Sequence, residues 1–115
     1  MQYLLLIYDN EKEWAGIPDA DKAAIYKEYG AFTEDIVKSG NYKTGNQLQP
    51  TTTATTVRVR NGKASVTDGP FAETREQLGG FYLIQAENLD QATAIAARIP
   101  SAKNGSIEVR PLVER

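Results

Sequence analysis

The sequence predicts an α+β domain whose elements run strand, helix, strand, hairpin, strand, helix, strand. Three observations carry this reading: a continuous apolar run from Tyr3 to Tyr8, apolar side chains at helical spacing within 25–36 and 92–99, and alternating segments joined by Asn61-Gly62. The 115 residues make a single domain, 1–115, long enough to bury a core without staples.

Taken in order, Gln2 to Tyr8 has the apolar continuity of a strand covered on both faces, which suits a central place in a sheet. Asp9 and Asn10 end it with turn chemistry, and a polar loop with Trp14 and Gly16 follows. Pro18 fits the first position of a helix, Asp19 and Asp21 suit its N-terminal dipole, and Ile17 would be a poor cap. Ile25, Tyr29, Phe32 and Ile36, with Ala24 and Val37 beside them, give that helix its buried stripe, and Gly40 supplies a left-handed stop. Gly30 falls mid-helix, which calls for close packing or a bend.

Tyr42 to Leu48 reads as a shorter strand with a bulge or close approach at Gly45, ended by Pro50. The threonine run 51–56 leads into the alternation Val57-Arg58-Val59-Arg60, turned by Asn61-Gly62 into an antiparallel return over Lys63 to Thr67. Gly79-Gly80 opens a strand from Phe81 to Ala86. Asn88 with Gln91 forms a capping box for a second helix with the stripe Ala92, Ile95, Ala96 and Ile99, and Ser106 to Val113 is a last strand in which Pro111 points to an edge or a strand end. Without the hairpin this is the β-α-β-β-α-β pattern of a ferredoxin-like sandwich, with helices on one sheet face. The other face then needs a cover, and a homodimer with sheets face to face supplies one.

Composition removes several chemistries. With neither cysteine nor histidine, disulfides, thiol catalysis and imidazole bases are absent, so acid-base work would fall to carboxylates, Tyr, Lys or water. A net charge of -2 with mixed signs argues against nucleic acid as a partner, and the N-terminal apolar run is too short to cross a membrane or to be a secretory signal. The expected location is cytoplasmic. No metal or other cofactor is expected, and dehydrogenase chemistry lacks its Gly-x-Gly-x-x-Gly fingerprint.

Between Val66 and Tyr82 lies the most distinctive text: Asp68-Gly69-Pro70-Phe71, then Glu73, Glu76, Gln77 and Gly79-Gly80. With Tyr3 to Tyr8, Gly30-Ala31-Phe32-Thr33-Glu34, Leu48-Gln49-Pro50, Thr55 to Arg58, Ala97 to Pro100 and Glu108 to Pro111, it resembles the DGPF branch of the YCII-related proteins almost end to end. The resemblance implies a dimeric α+β barrel. It also implies a histidine-aspartate pair in more distant relatives, one of which resembles a dehydrochlorinase, but this chain has no histidine to complete such a pair. The branch is often encoded near extracytoplasmic-function sigma factors, which implies a regulatory connection.

Asp68 admits two readings: a carboxylate that sets the turn before Gly-Pro, or a catalytic base at a cleft mouth supported by Arg58 or Arg110. Phe71 reads as a plug under its loop or a platform for a ligand. Arg58, Glu108 and Arg110 make either cross-strand ion pairs or the polar lining of a pocket for an anionic or carbonyl-bearing ligand, to which Tyr3, Tyr8 and Tyr82 would add hydroxyls. Glu73, Arg75 and Glu76 read as a solvated charge cluster. Two functions follow as expectations. One is a small-molecule binding protein or enzyme with its pocket at the dimeric barrel and carboxylate-based proton-transfer or elimination chemistry. The alternative is a non-catalytic regulatory or protein-interaction module tied to a sigma-factor pathway.

Overall fold

A computed structural model describes residues 1–115. Its body is a four-stranded antiparallel sheet in the order β2-β5-β1-β6, formed by β1 (Gln2–Asp9), β2 (Tyr42–Gln47), β5 (Gln77–Gln85) and β6 (Ser106–Pro111). The apolar N-terminal run takes an inner position as expected, and β6, with Pro111 at its end, is an edge. Strand parity sorts β1: Tyr3, Leu5 and Ile7 are buried, whereas Leu4, Leu6 and Tyr8 on the opposite face are half-buried.

The buried face lies under α2 (Asp19–Lys38) and α3 (Leu89–Ala96). Phe32 and Ile36 from α2 meet Tyr82 and Ile84 from β5 and Ala92, Ile95, Ala96 and Ile99 from the α3 region, forming one core with β1. Phe32 stands edge-on to Tyr82 with ring centroids 5.3 Å apart. Gly40, at φ +81°, ends α2 in the predicted left-handed conformation. Asn88 caps α3 by accepting from the Gln91 amide at 2.9 Å, and the Gln91 side chain accepts in return from the Glu87 amide, one residue earlier than in a standard capping box. No helix is long and apolar enough to cross a membrane.

Several local expectations change. The Trp14 loop holds a short helix, α1 (Glu11–Ala15), because the Asn10 side chain accepts from the Lys12 and Glu13 amides. Pro18, rather than Ile17, occupies the cap position of α2. Gly30 faces open space, with nothing within 4 Å of where a Cβ would stand, so close packing within the chain is not its reason. Gly79 and Gly80 lie inside β5, which starts at Gln77 rather than Phe81. There the backbone of β2 comes close: a Cβ on Gly80 would stand 3.0 Å from the Asn46 carbonyl oxygen. The bulge in β2 falls between Tyr42 and Thr44, while Gly45 sits beneath the Tyr82 ring.

The inserted hairpin forms a separate two-stranded ribbon, β3 (Thr55–Arg60) with β4 (Lys63–Asp68), turned at Asn61 and Gly62, both with positive φ. It stands off as an arm, with none of its side chains buried. The radius of gyration is 16.1 Å, against about 13 Å for a compact chain of roughly this size.

Gly45 supplies a direct test of the core. A Cβ there would stand 2.7 Å from Tyr82 Cδ1 and 3.0 Å from the Phe81 carbonyl oxygen. Gly45→Ala should therefore lower stability by about 1–3 kcal/mol through overpacking, read as an earlier urea midpoint; an unchanged midpoint would refute the close packing.

Candidate functional site

The face of the sheet turned away from the helices carries both apolar and charged groups. Leu6 lies opposite Phe81 on one side and Glu108 on the other, and Leu4 lies opposite Leu83 and Arg110. Directly paired residues share a face, so Leu4, Leu6, Phe81 and Leu83 form an apolar strip with Tyr8, Glu108 and Arg110 along it. Arg110 donates from Nε to Glu108 Oε2 at 2.9 Å and from Nη2 to the same oxygen. The pair therefore runs within one strand, two residues apart, rather than across strands. Its hydrogen bond and charge raise the Arg110 pKa further, with Tyr8 adding a smaller contribution. An exposed pair of this kind contributes little stability. Chemically it offers a cation, a carboxylate and the Tyr8 phenol beside an apolar strip.

The remaining sequence candidates lie elsewhere. Tyr82 points into the core, where its hydroxyl and that of Thr33 lie 2.8 Å apart; burial raises its pKa. Arg58 and Asp68 belong to the arm, and the pairing of Thr55 with Asp68 and of Arg58 with Ser65 puts them on opposite faces of the ribbon. Asp68 is exposed and its side chain makes no hydrogen bond within the chain; the turn it precedes is set by Gly69 at φ +99°, whose amide donates to the Ala54 carbonyl at 2.7 Å. Arg58 donates to the Phe71 carbonyl at 3.2 Å, and Thr56 to that of Gly69 at 2.8 Å. These bonds fold the Gly69 to Phe71 loop over the polar face of the arm. The Phe71 ring itself is 77% exposed, so it plugs nothing within the chain.

The second half of the distinctive stretch fastens to the body. Gln77 accepts from the Glu11 amide at 3.0 Å, Glu76 accepts from the Ser106 hydroxyl at 2.9 Å, and both Glu11 carboxylate oxygens accept from Thr51 at 2.7 Å. Glu73, Arg75 and Glu76 form no ion pair among themselves. Next to this junction is a grouping that sequence reasoning missed. Asp9 at the end of β1, Tyr29 on α2 and Ser101 in the 3-10 turn Pro100–Lys103 come together, with the Tyr29 and Ser101 hydroxyls 2.5 Å apart. Burial, then the nearby charges of Glu76 and Glu11, raises the Asp9 pKa, while the Ser101 hydroxyl opposes the shift; burial likewise raises that of Tyr29. The only sequence signal was an acid closing an apolar strand, which reads equally as a turn. The carboxylates here are not grouped to hold a metal ion.

Two surface hollows lie away from the open sheet face: one of about 420 Å³ along α2 at Gly30, Thr33 and Val37, and one of about 240 Å³ at Met1, Gly40 and Gln91. Within one chain the open face is a surface rather than an enclosed cavity.

Comparison with known proteins gives a consistent picture. The YCII-related domain matches residues 1–115. An uncharacterised protein, R00369, of Rhizobium meliloti (strain 1021) is 39% identical over 114 residues, covering 97% of this chain and 92% of that protein.

Asp9 gives a pH test. Its raised pKa means that the folded state holds the proton more tightly than the unfolded chain, so its contribution to stability is present near pH 3.8 and below and is lost as pH rises through the folded value. Asp9→Asn should gain stability relative to the native protein at pH 7, and the gap should close toward pH 4 in denaturation curves. A gap that does not change with pH would remove this account.

Proposed function

Since the chain belongs to the YCII-related domain family, we propose that it acts as a homodimer whose open sheet faces meet and hold a small polar or aromatic ligand between them. One observation carries this reading: the face with Leu4, Leu6, Phe81 and Leu83 is covered by no helix of its own chain and bears Arg110, Glu108 and Tyr8 beside that apolar strip. An apolar strip with a few converging polar groups is the composition of a ligand site once water is excluded. Arg110 would take an anionic or carbonyl oxygen of the ligand, and closing the face would strengthen that contact by lowering the local dielectric. Tyr8 would add a hydroxyl.

For chemistry, the proposal is carboxylate-based proton transfer or elimination. Glu108 is the carboxylate placed on the same face as Arg110, and its second oxygen is not engaged by the guanidinium. Asp68 reaches that face only if the arm of a second copy brings it there. The alternative, a non-catalytic interaction module, draws on the exposed Val57, Val59, Val66 and Phe71 of the arm and its loop.

Light scattering behind size exclusion should give twice 12.7 kDa at micromolar protein. A thermal-shift screen of small organic acids and phenolics should find a stabilising ligand, adding about 2.7 kcal/mol at a hundredfold excess over its Kd. Arg110→Ala should abolish the shift while leaving the melting temperature of the free protein nearly unchanged. A dimer that no such ligand stabilises would favour the interaction module.

A further inference from the structure

The arm is an amphipathic ribbon with its apolar side bare. Pairing of Val57 with Val66 and of Val59 with Ala64 puts all four on one face, whereas Arg58, Arg60 and Lys63 occupy the other. The three valines are 60–68% exposed, and Asp68 is the one charged residue on their face. The polar face, by contrast, has a partner: the Gly69 to Phe71 loop is bonded to it through Thr56 and Arg58. A lone two-stranded ribbon is marginally stable in water and needs something to pack on. The body of its own chain does not provide it.

We propose that the valine face of each arm docks on the second copy of the chain, at the margin of the sheet-to-sheet contact, so that the arms clasp the dimer. This rests on the homodimer proposed above and specifies how it is completed. Area argues for the second copy as the occupant. The open face is four strands wide and, at the usual strand spacing and rise, has a footprint of roughly 20 by 20 Å. Two such faces together bury about 800 Å², below the roughly 1,200–2,000 Å² of stable interfaces. Each arm, two strands of six residues, presents about 10 by 20 Å. Two arms laid on their partners bring the total to about 1,600 Å², the usual size for a stable complex. Docking also carries Asp68 into the interface, because it shares the valine face, and leaves Arg58 on the outer side holding the loop.

The test uses the native protein and Val57→Asp combined with Val66→Asp, both surface changes that leave the core untouched. Hydrogen exchange of the amides in residues 57–66 is followed above and below the dimer dissociation constant, which is itself measured by light scattering and dilution. The expected result is arm protection that appears only in the dimer, together with a dimer weakened at least about tenfold by the double substitution, or about 1.4 kcal/mol. If the native protein dimerises but the arm exchanges equally fast in both states and the double variant dimerises normally, the clasp is overturned, the dimer stands, and the arm is left for a different partner. A native protein that stays monomeric at micromolar concentration overturns both.

Discussion

Coverage of the sheet on a single face is the constraint from which the rest of the structure follows. Side chains alternate along a strand, so the helices can bury Tyr3, Leu5 and Ile7 only by leaving Leu4, Leu6 and Tyr8 on the far side. The same parity turns Tyr82 and Ile84 inward and Phe81 and Leu83 outward, and it sets Glu108 and Arg110 among the outward-facing residues. The core is thus small, and the face opposite it keeps a half-buried apolar strip that no helix of the chain covers. A shift of register by one residue would exchange the two sets.

What could be read from the sequence was what local chemistry decides. Gly40 ends a helix because it accepts a positive φ, Asn61-Gly62 turns a hairpin for the same reason, and Asn88 caps α3 through an oxygen three residues from the amide it meets. The pair Gly79-Gly80 carried the same glycine signal and misled, because it lies inside a strand, where Gly80 meets the nearby backbone of β2, which no local window contains. Asp9, Tyr29 and Ser101 lie far apart in sequence and meet only once β1, α2 and the turn after α3 are packed. The direction of Tyr82 was likewise undecidable before the register was known. Family membership, by contrast, was legible almost end to end, since it depends on residue identities rather than on which face each one takes.

The stretch from Asp68 to Gln77 was distinctive for its charge and turned out to be a joint. Its first half is bonded to the polar face of the arm through Thr56 and Arg58, and its second half is bonded to the end of β1, α1 and β6 through Glu76 and Gln77. Such a segment fixes the angle at which a ribbon leaves a sheet. Of its acids, Glu76 accepts from the Ser106 hydroxyl, whereas the exposed Asp68 lies on the side of the arm that the body does not cover.

The strand order also determines when this protein can fold. β1 is made first, yet its neighbours are β5 and β6, so Leu5 waits for Tyr82 and then for Val109 before it is flanked on both sides. Nearly the whole chain must leave the ribosome before its most apolar strand is satisfied. Until then the apolar segment Tyr3 to Tyr8 lacks its strand partners, while the contacts within α2 and the turn of the arm are local. Sheet closure, which joins the most widely separated parts of the chain, is therefore the step with the longest loops to close.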